Sequence, residues 1–249
     1  IINLAYWLAR NDLSYQHIDH DGLNKLHQYA EAWSYYLIKA SIDLAKEKGA
    51  CPKSNETKYG QGIFPINTYK REVDELANPQ YLLDWSVLGD EARKHGIRNS
   101  TLMALMPSET SAQISNATNG IEPPRSLVSV KQSKDGVLKQ VVPEVRKLKN
   151  KYDLLWDQTS PEGYLKIVAV LQKFIDQGIS VNTSYNPRFY EDEKIPMSEM
   201  IKHLLMFYKY GGKQLYYFNT FDGAGEIEIK QPELEAGKVD DEDCEACKI

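Results

Sequence analysis

The chain has 249 residues, of which 42% are apolar and 26% charged, with a formal net charge of −5. Length and composition are those of a globular protein able to bury one large core or two smaller ones, and the acidic balance argues against a nucleic-acid footprint. No apolar run approaches the ~20 residues of a membrane span, and three cysteines exclude a disulfide framework.

The chain opens on Ile1-Ile2-Asn3-Leu4-Ala5-Tyr6-Trp7-Leu8. This reads as a start inside an existing helix, so a piece of something longer is expected. With no signal-peptide pattern, the expected location is cytoplasmic. The glycosylation-like matches at Asn55, Asn99, Asn116 and Asn182 are then chance. From Leu23 to Lys48 the apolar residues Leu23, Leu26, Tyr29, Ala30, Trp33, Leu37, Ala40 and Leu44 recur at helical steps, and Gly49 ends the helix. His17, His20 and His27 surround its start with Asp12, Asp19 and Asp21. Their spacing fits no standard metal pattern, and a solvated loop is expected. Cys51 is read as structural. Gly62–Ile66 suits a short extended piece, and Leu83–His95 a helix stopped by Gly96.

Leu102–Met106 is apolar and suits a short buried strand, which Pro107 breaks. Ser108 then reads as a helix N-cap, with further hydroxyls at Thr110 and Ser111. Gly120 suits the C′ stop, and Pro123 and Pro124 prevent a restart. Strand, tight turn and hydroxyl-rich helix start together make a natural phosphate seat, because a helix N-terminus presents free N–H groups and a positive dipole end. An ordinary capped helix behind a strand shares the same pattern. Lys134-Asp135-Gly136 between two β-rich runs signals a hairpin. Helices are expected over 145–156 and 161–176, an alternating strand over 179–185, a helix over 197–210 behind Pro196, and a last strand over 213–220. Strands alternating with helices imply an α/β class. Residues 226–249 carry nine acidic and three basic side chains, so the acidity belongs to a tail expected to be mobile.

Met106-Pro107-Ser108-Glu109-Thr110-Ser111, running on through Ile114 to Arg125, closely resembles the large subunit of class I ribonucleotide reductase, in its aerobic Ia form. The resemblance spans the chain but only about the last third of such a subunit. It implies the second half of a ten-stranded α/β barrel over residues 1–221, followed by a flexible tail over 222–249. It also implies that Pro107, Ser108, Glu109, Thr110 and Ser111 hold a nucleoside diphosphate, with Glu109 contributing its backbone N–H because its carboxylate would repel the phosphate. Tyr216 and Tyr217 match the family's pair that relays a radical toward the substrate. Successive residues on a regular strand face opposite ways, so if both rings join one relay the strand must end or distort there. Two β-favoured aromatics in a sheet would show the same letters.

Cys244 and Cys247 close the tail. By resemblance they re-reduce the active-site disulfide and are themselves reduced by thioredoxin or glutaredoxin, since thiol–disulfide exchange needs direct sulfur contact. The acids beside Cys244 should raise its thiol pKa. The family's thiyl cysteine lies in an Asn-x-Cys-x-Glu segment, and this sequence has none. Catalysis is therefore expected only with the upstream portion of the large subunit and with the small subunit, which carries the di-iron tyrosyl radical. No metal is expected in this chain. The alternatives are a stand-alone thiol shuttle and a non-catalytic module that binds the small subunit or nucleotide.

Overall fold

The computed structural model describes residues 1–133 and 136–223. Helix α1 covers Leu4–Arg10 and α2 covers His20–Lys48. Asp19 caps α2 by accepting from the Gly22 N–H at 2.7 Å, and Gly49, at φ 82°, ends it. Where an extended piece is expected at Gly62–Ile66, the chain instead enters the short helix α3 (Pro65–Thr68), since the fixed φ of Pro65 suits a first helical position. Helix α4 (Trp85–His95) is capped by Asp84, which accepts from the Ser86 and Val87 N–H groups, and stops at Gly96 with φ 72°.

The phosphate-seat helix, α5, spans Glu109–Ile114 and is shorter than expected. Its stop is Asn116, in the left-handed region at φ 48°, and the Ala117 N–H returns to the Ala112 carbonyl at 2.8 Å. That six-to-one bond is a Schellman closure, with Asn116 where Gly120 is expected. Strands β1 (Val128–Ser133) and β2 (Gly136–Val141) pair antiparallel with Ser133 opposite Gly136, as the hairpin signal implies. The turn residues Lys134 and Asp135 lie outside the described residues.

The helix expected over 145–156 survives only as α6 (Val145–Leu148). Beyond it the Tyr152 hydroxyl donates to the Pro143 carbonyl at 2.8 Å. The Asp153 carboxylate accepts from the Ser14 hydroxyl and the Tyr15 N–H, each at 2.6 Å. Those tertiary bonds need an irregular chain and override helix propensity. Helix α7 (Glu162–Gln172) is buried from Gly163 onward except at Lys166. A helix apolar nearly all round belongs in the middle of a core, and α7 packs against α2 there. Helix α8 (Met197–Lys209) buries only His203 and Phe207.

Strands β3 (Thr183–Tyr185) and β4 (Phe218–Thr220) pair parallel, Thr183 opposite Phe218. On the other flank of the β3 segment, Leu105 makes a parallel bridge with Ile179, and Gln177 and Ser180 donate to the Met103 and Leu105 carbonyls. Three backbone segments thus run side by side, although regular strand is briefer than the apolar runs suggest. One cause is Asp176, whose carboxylate takes the Leu102 and Met103 N–H groups at 2.8 and 3.1 Å. Among the described residues the strands form two two-stranded sheets and no closed barrel.

Candidate functional site

The phosphate-seat turn and the tyrosine pair lie on the two flanks of the middle segment, at neighbouring levels along it. Leu105 bridges Ile179, and the chain turns away at Pro107. Tyr216 donates its N–H to the Val181 carbonyl at 2.7 Å, two residues further along the same middle segment.

At the turn, Pro107, Glu109, Thr110 and Ser111 are exposed and Ser108 is half-buried. Ser108 holds the N-cap position of α5, but its side chain does not cap the helix. Its hydroxyl is turned inward, makes no hydrogen bond, and lies where a Cβ on Gly120 would come within 3.2 Å of it. The first amides of α5 have no partner within the helix by geometry. The seat therefore offers backbone donors with the Thr110 and Ser111 hydroxyls at an open surface.

The tyrosine rings lie together. Tyr216 and Tyr217 have ring centroids 4.3 Å apart and planes inclined by 55°, and regular strand β4 begins only at Phe218. Both rings are about half exposed, at 53% and 57%. The neighbouring Tyr216 phenol, acting as hydrogen-bond partner, raises the pKa of Tyr217 above the ordinary phenol value. Sequential rings on one side need a break in strand alternation, and the hydrogen bonds show one: the Thr183 N–H donates to the Tyr217 carbonyl, while the Tyr217 N–H goes to the side-chain carbonyl of Asn182 at 3.1 Å.

Two further residues join the turn to the pair. The Asn182 amide donates to Glu122 Oε1 at 2.6 Å. Burial raises the Glu122 pKa; Asn182 and Arg125 pull it back, and the Glu109 carboxylate adds to the rise. Glu122 thus lies within electrostatic reach of the phosphate-seat turn. Sequence reasoning passes over both, treating Asn182 only as a chance glycosylation match.

Cys51 is half-buried with a free thiol, and its N–H donates to the Ile97 carbonyl at 2.9 Å. Cys244 and Cys247, with the tail from Ala224 on, lie outside the described residues. Of the three histidines near the start of α2, His17 and His20 are exposed, as a solvated loop implies. His27 departs from that expectation. It is wholly buried, packs edge-on against Phe174 at 4.7 Å, and neither ring nitrogen has a partner. Among the described residues no group of three His, Cys, Asp or Glu side chains is arranged to hold a metal, and no helix is long and apolar enough to cross a membrane.

The sequence profile of the ribonucleotide reductase barrel domain matches residues 1–218. Over its whole length the chain is 54% identical to the ribonucleoside-diphosphate reductase 1 subunit alpha of Salmonella typhimurium, and 53% identical to that of Escherichia coli. It is 44% identical to the ribonucleoside-diphosphate reductase subunit alpha of Enterobacteria phage T4. The chain spans 32% of the length of each of these relatives. With the profile covering residues 1–218 of 249, this chain belongs to the ribonucleotide reductase barrel-domain family.

Proposed function

We propose that this chain is the C-terminal portion of the catalytic subunit of a class Ia ribonucleoside-diphosphate reductase. It acts with an upstream portion of the large subunit and with the small subunit to convert ribonucleoside diphosphates into 2′-deoxyribonucleoside diphosphates. In this reading residues 1–221 complete the second half of a ten-stranded barrel whose other half is upstream, and residues 222–249 form the reducing tail. The observation that carries it is the placement of two motifs at neighbouring levels on the two flanks of one middle segment: the Ser108–Ser111 turn, which follows Leu105 beside Ile179, and the contacting Tyr216–Tyr217 rings beside Val181.

The diphosphate would sit on the N–H groups at the start of α5, with the Thr110 and Ser111 hydroxyls as further donors and Glu109 engaged through its backbone. The small subunit supplies the oxidising equivalent from its di-iron tyrosyl radical. Within this chain, a phenol that loses one electron must shed its proton. Rings in contact allow Tyr216 and Tyr217 to pass the electron and proton on together. The ribose 2′-hydroxyl leaves as water, its two reducing electrons coming from a pair of upstream thiols that become a disulfide. Cys244 and Cys247 return those electrons by exchange, and thioredoxin or glutaredoxin restores the tail.

Replacing Tyr216 or Tyr217 with Phe keeps the ring and removes the proton. With the upstream portion and small subunit present, each variant is expected to abolish CDP reduction while CDP binding persists. Undiminished turnover in both would contradict the relay and leave the tail thiols as the functional part. A second reading, a module that docks the small subunit without chemistry, is favoured by one observation: α8 exposes Met197, Ile201, Leu204, Leu205 and Tyr208. Under that reading Cys244→Ser with Cys247→Ser would leave the chain's role unchanged, whereas the catalytic reading predicts a single turnover and then arrest.

A further inference from the structure

The contact between the two tyrosine rings has a backbone cause. In a parallel ladder a carbonyl on one strand accepts from the residue one beyond its neighbour. With Thr183 opposite Phe218 and Tyr185 opposite Thr220, the Phe221 N–H bonds the Tyr185 carbonyl, as this rule requires. Two residues back from Thr183, the same register assigns the Val181 carbonyl to the Tyr217 N–H. The structure gives it instead to the Tyr216 N–H at 2.7 Å. One extra residue has entered the tyrosine strand, which is a β-bulge. A bulge lets consecutive side chains share a face where a regular strand would part them.

The bulge leaves the Tyr217 N–H outside the ladder. A backbone donor displaced from the ladder needs another partner, in the protein or in water. Asn182, between Val181 and Thr183 on the facing segment, supplies that partner through Oδ1 at 3.1 Å. Its rotamer is fixed from the other side, because its amide donates to Glu122 Oε1 at 2.6 Å. The carboxylate accepts, so the amide must present its NH₂ to Glu122 and its oxygen to Tyr217. Glu122 follows closely on Gly120, which abuts the Ser108 hydroxyl of the phosphate-seat turn.

We propose that Asn182 is a positioning residue, anchored by Glu122, that holds the bulge at Tyr216–Tyr217 and thereby keeps the two rings in contact beside the phosphate seat. The proposal rests on the relay reading for its functional meaning but not for its structural content. Through Glu122 the same side chain ties the geometry of the pair to the turn on which the diphosphate would sit.

The test places 3-fluorotyrosine at position 217 of this chain and follows its titration by fluorine NMR. The ring contact is expected to hold the Tyr217 titration above that of the free amino acid, and Tyr216→Phe is expected to remove the rise. Asn182→Ala should remove it too, with the far-UV circular dichroism unchanged. Asn182→Asp alone sets two carboxylates against each other and should also remove it. Adding Glu122→Gln to Asn182→Asp reverses the hydrogen bond. The new carboxylate at position 182 then accepts both from the new amide at position 122 and from the Tyr217 N–H, and the elevated titration should return. Should Asn182→Ala fail to fold, this swap decides the matter: recovery in the double variant supports the role, and no recovery overturns it. An elevated Tyr217 titration in folded Asn182→Ala also overturns it.

In the mixture with the upstream portion and the small subunit, Asn182→Ala is expected to lower kcat for CDP reduction by about tenfold or more while KM stays within about twofold. If the titration moves and kcat does not, the positioning role stands and the relay reading falls. If the titration does not move, the positioning role falls whatever the turnover.

Discussion

At the scale of single residues, two side chains depart from what their letters suggest, and each carries a consequence. His27 reads as part of a solvated, acid-flanked loop, yet the apolar stripe of α2 turns it inward against Phe174. Burial is the main cause that lowers its pKa, to about 3, with the nearby Lys173 ammonium adding to the drop and Asp74 opposing it. The unfolded chain takes up a proton near the ordinary value of 6.5 while the folded chain does not. Stability is therefore complete above pH 6.5 and falls as the pH drops from there toward 3, by at most about 1.4 kcal/mol per unit. Denaturant titrations of His27→Phe should show a shallower loss over this window; an identical pH profile in wild type and variant would contradict the buried neutral imidazole. Asn182 is the other case. Its letter falls in the alternating run 179–185 as a chance glycosylation match, and only the neighbouring strand reveals it as the partner of a displaced backbone N–H. Local sequence cannot show either residue's role, because both are set by which distant segment packs against them.

Among the elements, those with strong periodicity and clear punctuation match their sequence. Helices α2, α4, α7 and α8 lie close to where the sequence puts them, by apolar steps and glycine stops for α2 and α4 and behind Pro196 for α8, because each signal is local. The elements that shrink do so where a tertiary bond outcompetes the pattern: Asp153 and Tyr152 cut short the helix after Val145, and Asp176 takes up the amides at the start of the Leu102–Met106 run. The stop of α5 moved from Gly120 to Asn116 because Asn also tolerates the left-handed region. Valine does not, so Asn116→Val should destabilise the protein by about 1–2 kcal/mol in chemical denaturation; no loss would contradict the Schellman closure.

A second element-scale prediction concerns the buried cation of the core. The Lys173 side chain is 1% exposed and pairs with Asp74 at 2.8 Å, tying the 71–75 turn to the end of α7. Burial lowers the Lys173 pKa while the Asp74 hydrogen bond and charge oppose that drop. Asp74→Ala leaves an uncompensated buried ammonium and should cost about 3–5 kcal/mol, most of it regained with Asp74→Ala and Lys173→Met together. Equal losses in the single and double variants would contradict the pair.

For the whole molecule, the phosphate-seat motif and the Tyr-Tyr pair were legible in the sequence because both are contiguous, and the structure adds what contiguity cannot show. It sets them at neighbouring levels on the two flanks of one middle segment and makes the strand distortion, required if both rings are to face one way, visible as a bulge. The strand pairing and the Asn182–Glu122 link depend on long-range register and had no local signal. The described strands present two small sheets rather than a closed barrel, and the exposed apolar face of α8 adds uncovered surface. Both fit a chain that completes a larger assembly.

In the proposed reading one active site is shared, with the substrate seat and radical entry on this chain and the reacting thiols upstream of it. The measurement that tests it most directly is CDP reduction with the small subunit, ATP and a dithiol reductant, with and without the upstream large-subunit portion. The account predicts dCDP only when both portions are present. No dCDP from a mixture in which both portions are folded and bound to each other would contradict it, as would full activity from this chain and the small subunit alone.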